Sequence, residues 1–173
     1  MKFGFDPLYQ KYPSRRYPIY ARNGMVNCSS PMAAAAGLEI LQKGGNAMDA
    51  AVAAASALTV VEPTANGLGS DAFALIWSEK NSKLYGLNSS GRAPMLASIS
   101  KILDEGKGIA GKMPRRGWTP VTVPGAPKAW AEISRRFGKL SLSEAMAPAV
   151  RYARDGYPCA PNLAEVWKND FKA

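Results

Sequence analysis

The sequence contains no histidine, so it lacks the residue that most often ligates zinc and most often acts as a general acid or base near neutral pH. Only two cysteines are present, Cys28 and Cys159, and they lie far apart without a CxxC spacing. This scarcity excludes a zinc site of the usual Cys/His type and argues against a disulfide framework. We therefore expect no metal, no cofactor, and two reduced thiols in a cytoplasmic protein.

Long hydrophobic runs are also missing. The longest uncharged and largely apolar stretch covers residues 50–61, is rich in alanine, and is much shorter than the ~20 residues that a membrane-spanning helix needs. The N-terminal residues lack an uninterrupted apolar segment and a small-residue cleavage site, so we expect no secretory signal. The sequence predicts no transmembrane helix and no membrane partner.

Acidic residues are scarce, with 13 Asp and Glu against 22 Lys and Arg, which gives a net charge of +9. Paired arginines occur at 15–16, 115–116 and 135–136, but they are scattered and not interleaved with aromatic residues as in RNA-binding proteins. An ordinary basic surface is favoured over a nucleic-acid interface, and a missing acidic partner segment would produce the same imbalance. A basic binding module that works alone is the alternative hypothesis for function.

The chain has 173 residues, 47% of them hydrophobic and 20% charged, which suits one globular domain with a hydrophobic core. Residues 1–23 are rich in Pro, Tyr and Arg and are predicted to form an extended N-terminal arm. The body of the protein is then 24–173. Within it, residues 25–28 and 121–123 are predicted as short strands.

The body is organised around a helix that starts after Gly44–Gly45. Asn46 can cap the helix, Asp49 places negative charge in its first turn, and Pro63 ends it. Seven of the eleven residues in 47–57 are alanine, so neighbouring backbones can approach closely and most sides should be buried. A helix over 32–43 precedes it, and the two are predicted to form a tight helical hairpin.

A β-hairpin is predicted next along the chain. Residues 72–77 form a continuous apolar run, typical of a strand covered on both faces, and residues 83–87 return antiparallel to it. The polar loop NSSGRAP follows at 88–94. Further helices are predicted over 96–105, 126–137 and 162–170. A capping box at Ser141 starts another helix, which Pro148 should kink or split.

Three blocks of the sequence resemble the gamma-glutamyltranspeptidase family, in the same order as in that family. They are GMVNCSSPMAAAAGLEILQKGGNAMDAAVAAASALTVVEP, NGLGSDAFALIW and TVPGAPKAWAEISRRFGKLSLSEAMAPAVRYARDGYP. The resemblance covers residues 15–170, which makes it far more specific than a single glycine motif. The GRAP loop together with GSDAF is similar to the transpeptidase-like and cephalosporin-acylase-like branch.

The resemblance implies an N-terminal-nucleophile (Ntn) hydrolase. The fold class that it implies is α/β (α+β), with a four-layer αββα sandwich. Residues 24–173 would form an incomplete part of that sandwich. In this family a precursor cleaves itself, and the threonine freed at the start of the small subunit attacks a gamma-glutamyl amide. The terminal amine serves as the base, and backbone N–H groups stabilise the oxyanion. No threonine in this chain can take that role without cleavage of the core.

The chain therefore resembles the N-terminal part of the large subunit, with no catalytic residue of its own and no activity alone. The implied partners are the remainder of the large subunit and the small catalytic subunit of the same precursor. The implied substrate is a gamma-glutamyl amide such as glutathione, or a related carboxylate-bearing acyl amide, for transfer or hydrolysis. An inactive relic of such an enzyme is a further alternative.

The candidate substrate-binding residues are Arg92, Ser90 and Ser89. In the family, an arginine in the pattern L-D-x-R-E-x-A-P grips the glutamyl α-carboxylate. Aligned on Ala-Pro, Ser90 occupies the place of that arginine here, and Arg92 follows two residues later. Arg92 either binds a substrate carboxylate or anchors the loop through a neighbour. Ser89 and Ser90 are turn-forming residue types as well as possible substrate contacts.

Overall fold

The computed structural model of the chain describes residues 18–104, 112–114 and 117–170. These residues form six α-helices and one two-stranded antiparallel sheet, which confirms the mixed α/β class. In chain order the elements are α1 (Pro31–Gln42), α2 (Ala47–Val61), β1 (Ala72–Ser78), β2 (Lys83–Ser89), α3 (Ile99–Asp104), α4 (Ala126–Phe137), α5 (Leu142–Asp155) and α6 (Pro161–Asp170).

The central helix α2 forms where the sequence predicts it. The Asn46 side chain accepts hydrogen bonds from the backbone N–H groups of Met48 and Asp49, at 2.9 and 3.1 Å. The Asp49 carboxylate accepts the N–H of Asn46 at 2.9 Å in return, which completes a capping box. The helix ends at Val61, directly before Glu62 and Pro63.

Helix α2 is buried because other helices pack on several of its sides. One cluster joins it to α1 and α5 and contains the buried residues Ala33, Ala36, Ala57, Val61 and Ala149. A second cluster joins it to α4 and α5 and contains Val52, Ala126, Ala129, Trp130 and Ala145. The alanine-rich composition thus permits close helix packing, and the predicted hairpin of α1 and α2 is confirmed.

The predicted β-hairpin is also confirmed, with Ala72 opposite Ser89 at one end and Ser78 opposite Lys83 at the turn. The expectation that β1 is covered on both faces is wrong for the described residues. Helix α4 packs against the face that carries Ile76, whereas Phe73 and Leu75 on the other face are 65% and 79% exposed. A continuous apolar run cannot report which neighbours cover its second face.

Other local predictions fail for a similar reason. Residues 25–28 and 121–123 are not strands, because no neighbouring strand among the described residues supplies a hydrogen-bonding ladder for them. Helix α3 is shorter than the predicted 96–105, and residue 105 lies outside the described residues. The capping box at Ser141 is confirmed, and α5 continues through Pro148, so a split helix is wrong.

The predicted N-terminal arm lies mostly outside the described residues, because the description begins at residue 18. Residues 18–23 are exposed. The boundary between an arm at 1–23 and a body at 24–173 therefore stays a prediction. Of the helices that are described, none combines the length and the apolar character that crossing a membrane requires.

Candidate functional site

A surface cleft of about 420 Å³ lies between the loop after β2 and the first turns of α4. The loop contributes one wall, and the segment that leads into α4 and the helix itself contribute the other. Its lining includes the polar or charged side chains of Ser89, Ser90, Arg92, Lys128 and Glu132, together with Gly91 and Gly125. The structure thus brings all three predicted site residues to one cleft.

Hydrogen bonds fix the two walls against each other. The Ser89 hydroxyl donates to the carbonyl oxygen of Gly125 at 2.8 Å, and the Val123 N–H donates to the carbonyl oxygen of Arg92 at 2.9 Å. The Ser70 carbonyl, just before β1, accepts the N–H groups of Gly125 and Ala126 at 3.0 and 2.9 Å. The start of α4 is therefore held by the β-hairpin, and the cleft is a built feature of the fold.

Two glycines make the close approach of the walls possible. Gly91 has a φ of +77°, in the left-handed region, and a Cβ there would overlap the carbonyl oxygen of Val123. A Cβ at Gly125 would overlap the carbonyl oxygen of Ser89. Side chains at these positions would push the loop away from α4, so the glycines shape the cleft.

Arg92 is exposed and lines the cleft. Within 18–104, 112–114 and 117–170, its guanidinium makes no hydrogen bond or ion pair with another side chain. In the described part of the chain, the Arg92 guanidinium thus has no side-chain partner through which it would anchor the loop. Its role as a substrate contact stays a prediction.

The two serines contribute to the shape of the loop. Ser89 is half-buried, and its hydroxyl donates to the carbonyl oxygen of Gly125. The Ser90 N–H donates to the side-chain oxygen of Asn88 at 3.0 Å, a turn-like contact within the loop. These contacts agree with the turn-forming interpretation, and a direct contact of either serine with substrate stays a prediction.

Lys128 and Glu132 lie one turn apart on the face of α4 that lines the cleft. The Glu132 carboxylate forms an ion pair with Arg135 at 2.8 Å, and this hydrogen bond is the main cause that lowers the pKa of Glu132. Sequence reasoning missed Lys128 as a site residue. The predicted helix after the Pro124–Gly125 turn places Lys128 in its first turn, but nothing in the sequence places that turn against the loop.

The arrangement is suited to binding a carboxylate, because two cationic side chains, those of Arg92 and Lys128, line the same cleft. Within the described ranges there is no group of three His, Cys, Asp or Glu residues that would hold a metal ion. The chemistry that the cleft itself supports is recognition of an anionic group.

Comparison with known proteins gives consistent matches. The family model described as gamma-glutamyltranspeptidase matches residues 33–173. The chain is 35% identical over 161 residues to the glutathione hydrolase proenzyme of Bacillus subtilis, a match that covers 90% of this chain and 27% of that protein. It thus spans about a quarter of the length of this curated relative.

Crystal structures give the same result for the fold. The cephalosporin acylase from Bacillus halodurans superposes with a TM-score of 0.85 at 55% identity, over 97% of this chain and 31% of that one. The gamma-glutamyltranspeptidase of Helicobacter pylori superposes with a TM-score of 0.80 at 33% identity, over 88% of this chain and 44% of that one. The described helices and the hairpin have the arrangement found in these two proteins.

Proposed function

The chain belongs to the gamma-glutamyltranspeptidase family, and from this membership we propose that it is the N-terminal part of the large subunit of an amide-cleaving enzyme. Members of the family are enzymes, and the relatives above are a glutathione hydrolase and a cephalosporin acylase. The proposed reaction is transfer or hydrolysis of a gamma-glutamyl or related acyl amide. The nucleophile would be a threonine outside this chain, so the chain alone would be inactive.

The proposed partners are the remainder of the large subunit and a small catalytic subunit cut from the same precursor. The word proenzyme in the name of the Bacillus subtilis relative supports a cleaved precursor. The exposed apolar face of β1 supports a partner surface on this chain. A cytoplasmic location stays a prediction. The intact mass of the expressed full-length protein tests the cleavage, because two fragments of the expected sum should replace the precursor.

One observation carries the proposed substrate class: Arg92 lies in the cleft with no ion-pair partner among the described residues. A guanidinium presents a planar fork of donors that matches both oxygens of a carboxylate. The first turns of α4 form the opposite wall, where Lys128 adds a second positive charge that favours an anion. Arg92 would thus bind the carboxylate of the acyl group and orient the amide for attack.

Arg92→Ala in the processed full-length enzyme tests this role. With gamma-glutamyl-p-nitroanilide we expect kcat/KM to fall about 10- to 100-fold, mainly through KM, because a hydrogen bond to a charged group contributes ~1.5–3 kcal/mol. Arg92→Lys should recover part of the loss, since it keeps the charge without the bidentate fork.

Arg154→Ala is the matched control, because Arg154 is exposed near the end of α5 and pairs only with its neighbour Asp155 among the described residues. It removes the same charge and should leave KM unchanged. If Arg92→Ala leaves both KM and kcat unchanged, the proposed role of Arg92 is wrong. If the wild-type enzyme cleaves neither a gamma-glutamyl nor a glutaryl amide, the proposed reaction is wrong.

A further inference from the structure

We propose that Lys128 makes the cleft selective for amides that carry a second carboxylate, located on the leaving amine. This inference rests on the proposed function and extends it to the substrate class. Arg92 on the loop would take the carboxylate of the acyl group. Lys128 on the opposite wall would take the carboxylate beyond the scissile amide.

The geometry places two cations on separate walls of one cleft. Arg92 follows β2, whereas Lys128 is in the first turn of α4, and the hydrogen bonds of Ser89 and Val123 keep the two walls in place. Both side chains are exposed, so each can reach a ligand from the solvent side. A volume of about 420 Å³ is within the range of small-ligand sites.

The cationic side chains that line the cleft outnumber its acidic one, which favours an anionic ligand. Among the described residues, Glu132 is the one acidic side chain that lines the cleft, and its carboxylate is engaged by Arg135, which lies outside the lining. Lys128 forms no ion pair with Glu132, although the two are four residues apart on α4, or with any other described residue. A second carboxylate on the substrate would give Lys128 the direct ion-pair partner that Glu132 does not provide.

A pair of chromogenic amides that differ by one carboxylate provides the test. Gamma-glutamyl-p-nitroanilide has one free carboxylate, and gamma-glutamyl-3-carboxy-4-nitroanilide adds a second on the leaving amine. The measured quantity is the ratio of kcat/KM for the second amide to that for the first, in the processed full-length enzyme. Comparing this ratio between variants cancels the different leaving-group chemistry of the two amides.

Lys128→Ala should lower the ratio about two- to fivefold, the effect of an exposed ion pair. Lys128→Arg should preserve the ratio, and Lys128→Glu should lower it further by repulsion. Lys80→Ala is the matched control, since Lys80 lies in the turn between β1 and β2, at the opposite end of the hairpin from the cleft. It should leave the ratio unchanged.

The ratio in the wild-type enzyme should also fall as NaCl is added, because salt screens exposed charges, and this measurement needs no variant. If both amides are cleaved and Lys128→Ala leaves the ratio and its salt dependence unchanged, the inference is wrong and the proposed function stands. If the enzyme accepts only a glutaryl group, the glutaryl counterparts of the two amides take their place in the test. If the wild-type enzyme cleaves none of the four amides, the proposed function is wrong and the inference with it.

Discussion

At the scale of single residues, the buried Asp49 carboxylate joins two segments of the chain through hydrogen bonds. It is fully buried, and one of its oxygens accepts the backbone N–H groups of Asn46, Lys139 and Leu140, at 2.9, 2.9 and 3.3 Å. The Asn46 amide donates to the carbonyl oxygen of Phe137 at 2.6 Å. These two side chains therefore join the start of α2 to the connection between α4 and α5.

Asp49→Ala should strongly destabilise the protein. It leaves three partly buried N–H groups without their acceptor, and each such loss costs ~1–3 kcal/mol. We expect the free energy of unfolding to fall by about 3 kcal/mol or more, measured by urea denaturation. Asp49→Asn should cost less than Asp49→Ala, because the amide keeps one acceptor oxygen.

Asp71→Ala is the control for this measurement, because Asp71 is exposed in the loop before β1. It should change the free energy of unfolding by about 0.5 kcal/mol or less, as is usual for surface positions. An Asp49→Ala variant as stable as the Asp71→Ala variant would show that the hydrogen bonds of Asp49 do not hold the fold together.

At the scale of elements, α1 and α5 are joined by an ion pair as well as by alanine packing. Arg151 on α5 donates to the Glu39 carboxylate on α1 at 2.6 Å, and Lys43 donates to the same carboxylate at 2.7 Å. The pKa of Glu39 is lowered from its ordinary value of 4.5, first by the hydrogen bond from Arg151 and then by that from Lys43. The charged form of the Glu39 carboxylate thus stabilises the folded state.

This lowered pKa predicts how stability depends on pH. Since the pKa of Glu39 is lower in the folded than in the unfolded protein, its contribution is present above about pH 4.5 and is lost as the pH falls through the lowered value. The pair is partly exposed, so the contribution is only ~0.5–1 kcal/mol. Glu39→Gln should remove it, measured as the change in unfolding free energy between pH 7 and pH 3.

Glu165→Gln on α6 provides the comparison, because it removes one exposed carboxylate that makes no ion pair with another described residue. Its pH dependence should match that of the wild type. A Glu39→Gln variant whose stability falls with pH as steeply as that of the wild type would contradict the proposed linkage.

The elements that the sequence predicts correctly are those with local signals. Asn46, Asp49 and Pro63 mark the two ends of α2 within the segment itself, and the Ser141 capping box does the same for α5. The strands predicted at 25–28 and 121–123 do not form, because a strand depends on a partner distant in sequence. The prediction that both faces of β1 are covered fails for the same reason, because burial depends on neighbours that are distant in sequence.

The site is predictable only in part, for the same reason. The polar loop after β2 and the arginine in it can be read from the sequence, since loops after strands commonly line sites. The opposite wall of the cleft cannot be read from the sequence. Its position depends on the hydrogen bond from the Val123 N–H to the carbonyl oxygen of Arg92, two residues that are 31 positions apart. Lys128 joins the cleft only through that contact and those of Ser70 and Ser89 with Gly125.

At the scale of the whole molecule, the β-hairpin presents an apolar surface on the side away from α4. We call the set Phe73, Leu75, Trp77 and Leu84 the outer hairpin face, and each of its members is more than half exposed. Neither strand of the hairpin has a second neighbour among the described residues, so both edges also carry unpaired backbone groups. Such a surface favours association with another sheet or with a second copy.

The purified 173-residue chain should therefore self-associate, and Leu75→Lys should weaken that association. Leu75 is 79% exposed at the middle of the outer hairpin face, so a charge there interrupts the apolar surface without disturbing the core. Sedimentation velocity across a range of protein concentrations measures the change. Ile99→Lys on α3 is the matched control, because Ile99 is 81% exposed and lies outside that face. A wild-type chain that stays monomeric at every concentration, or equal effects of the two variants, would contradict a role of the outer hairpin face in assembly.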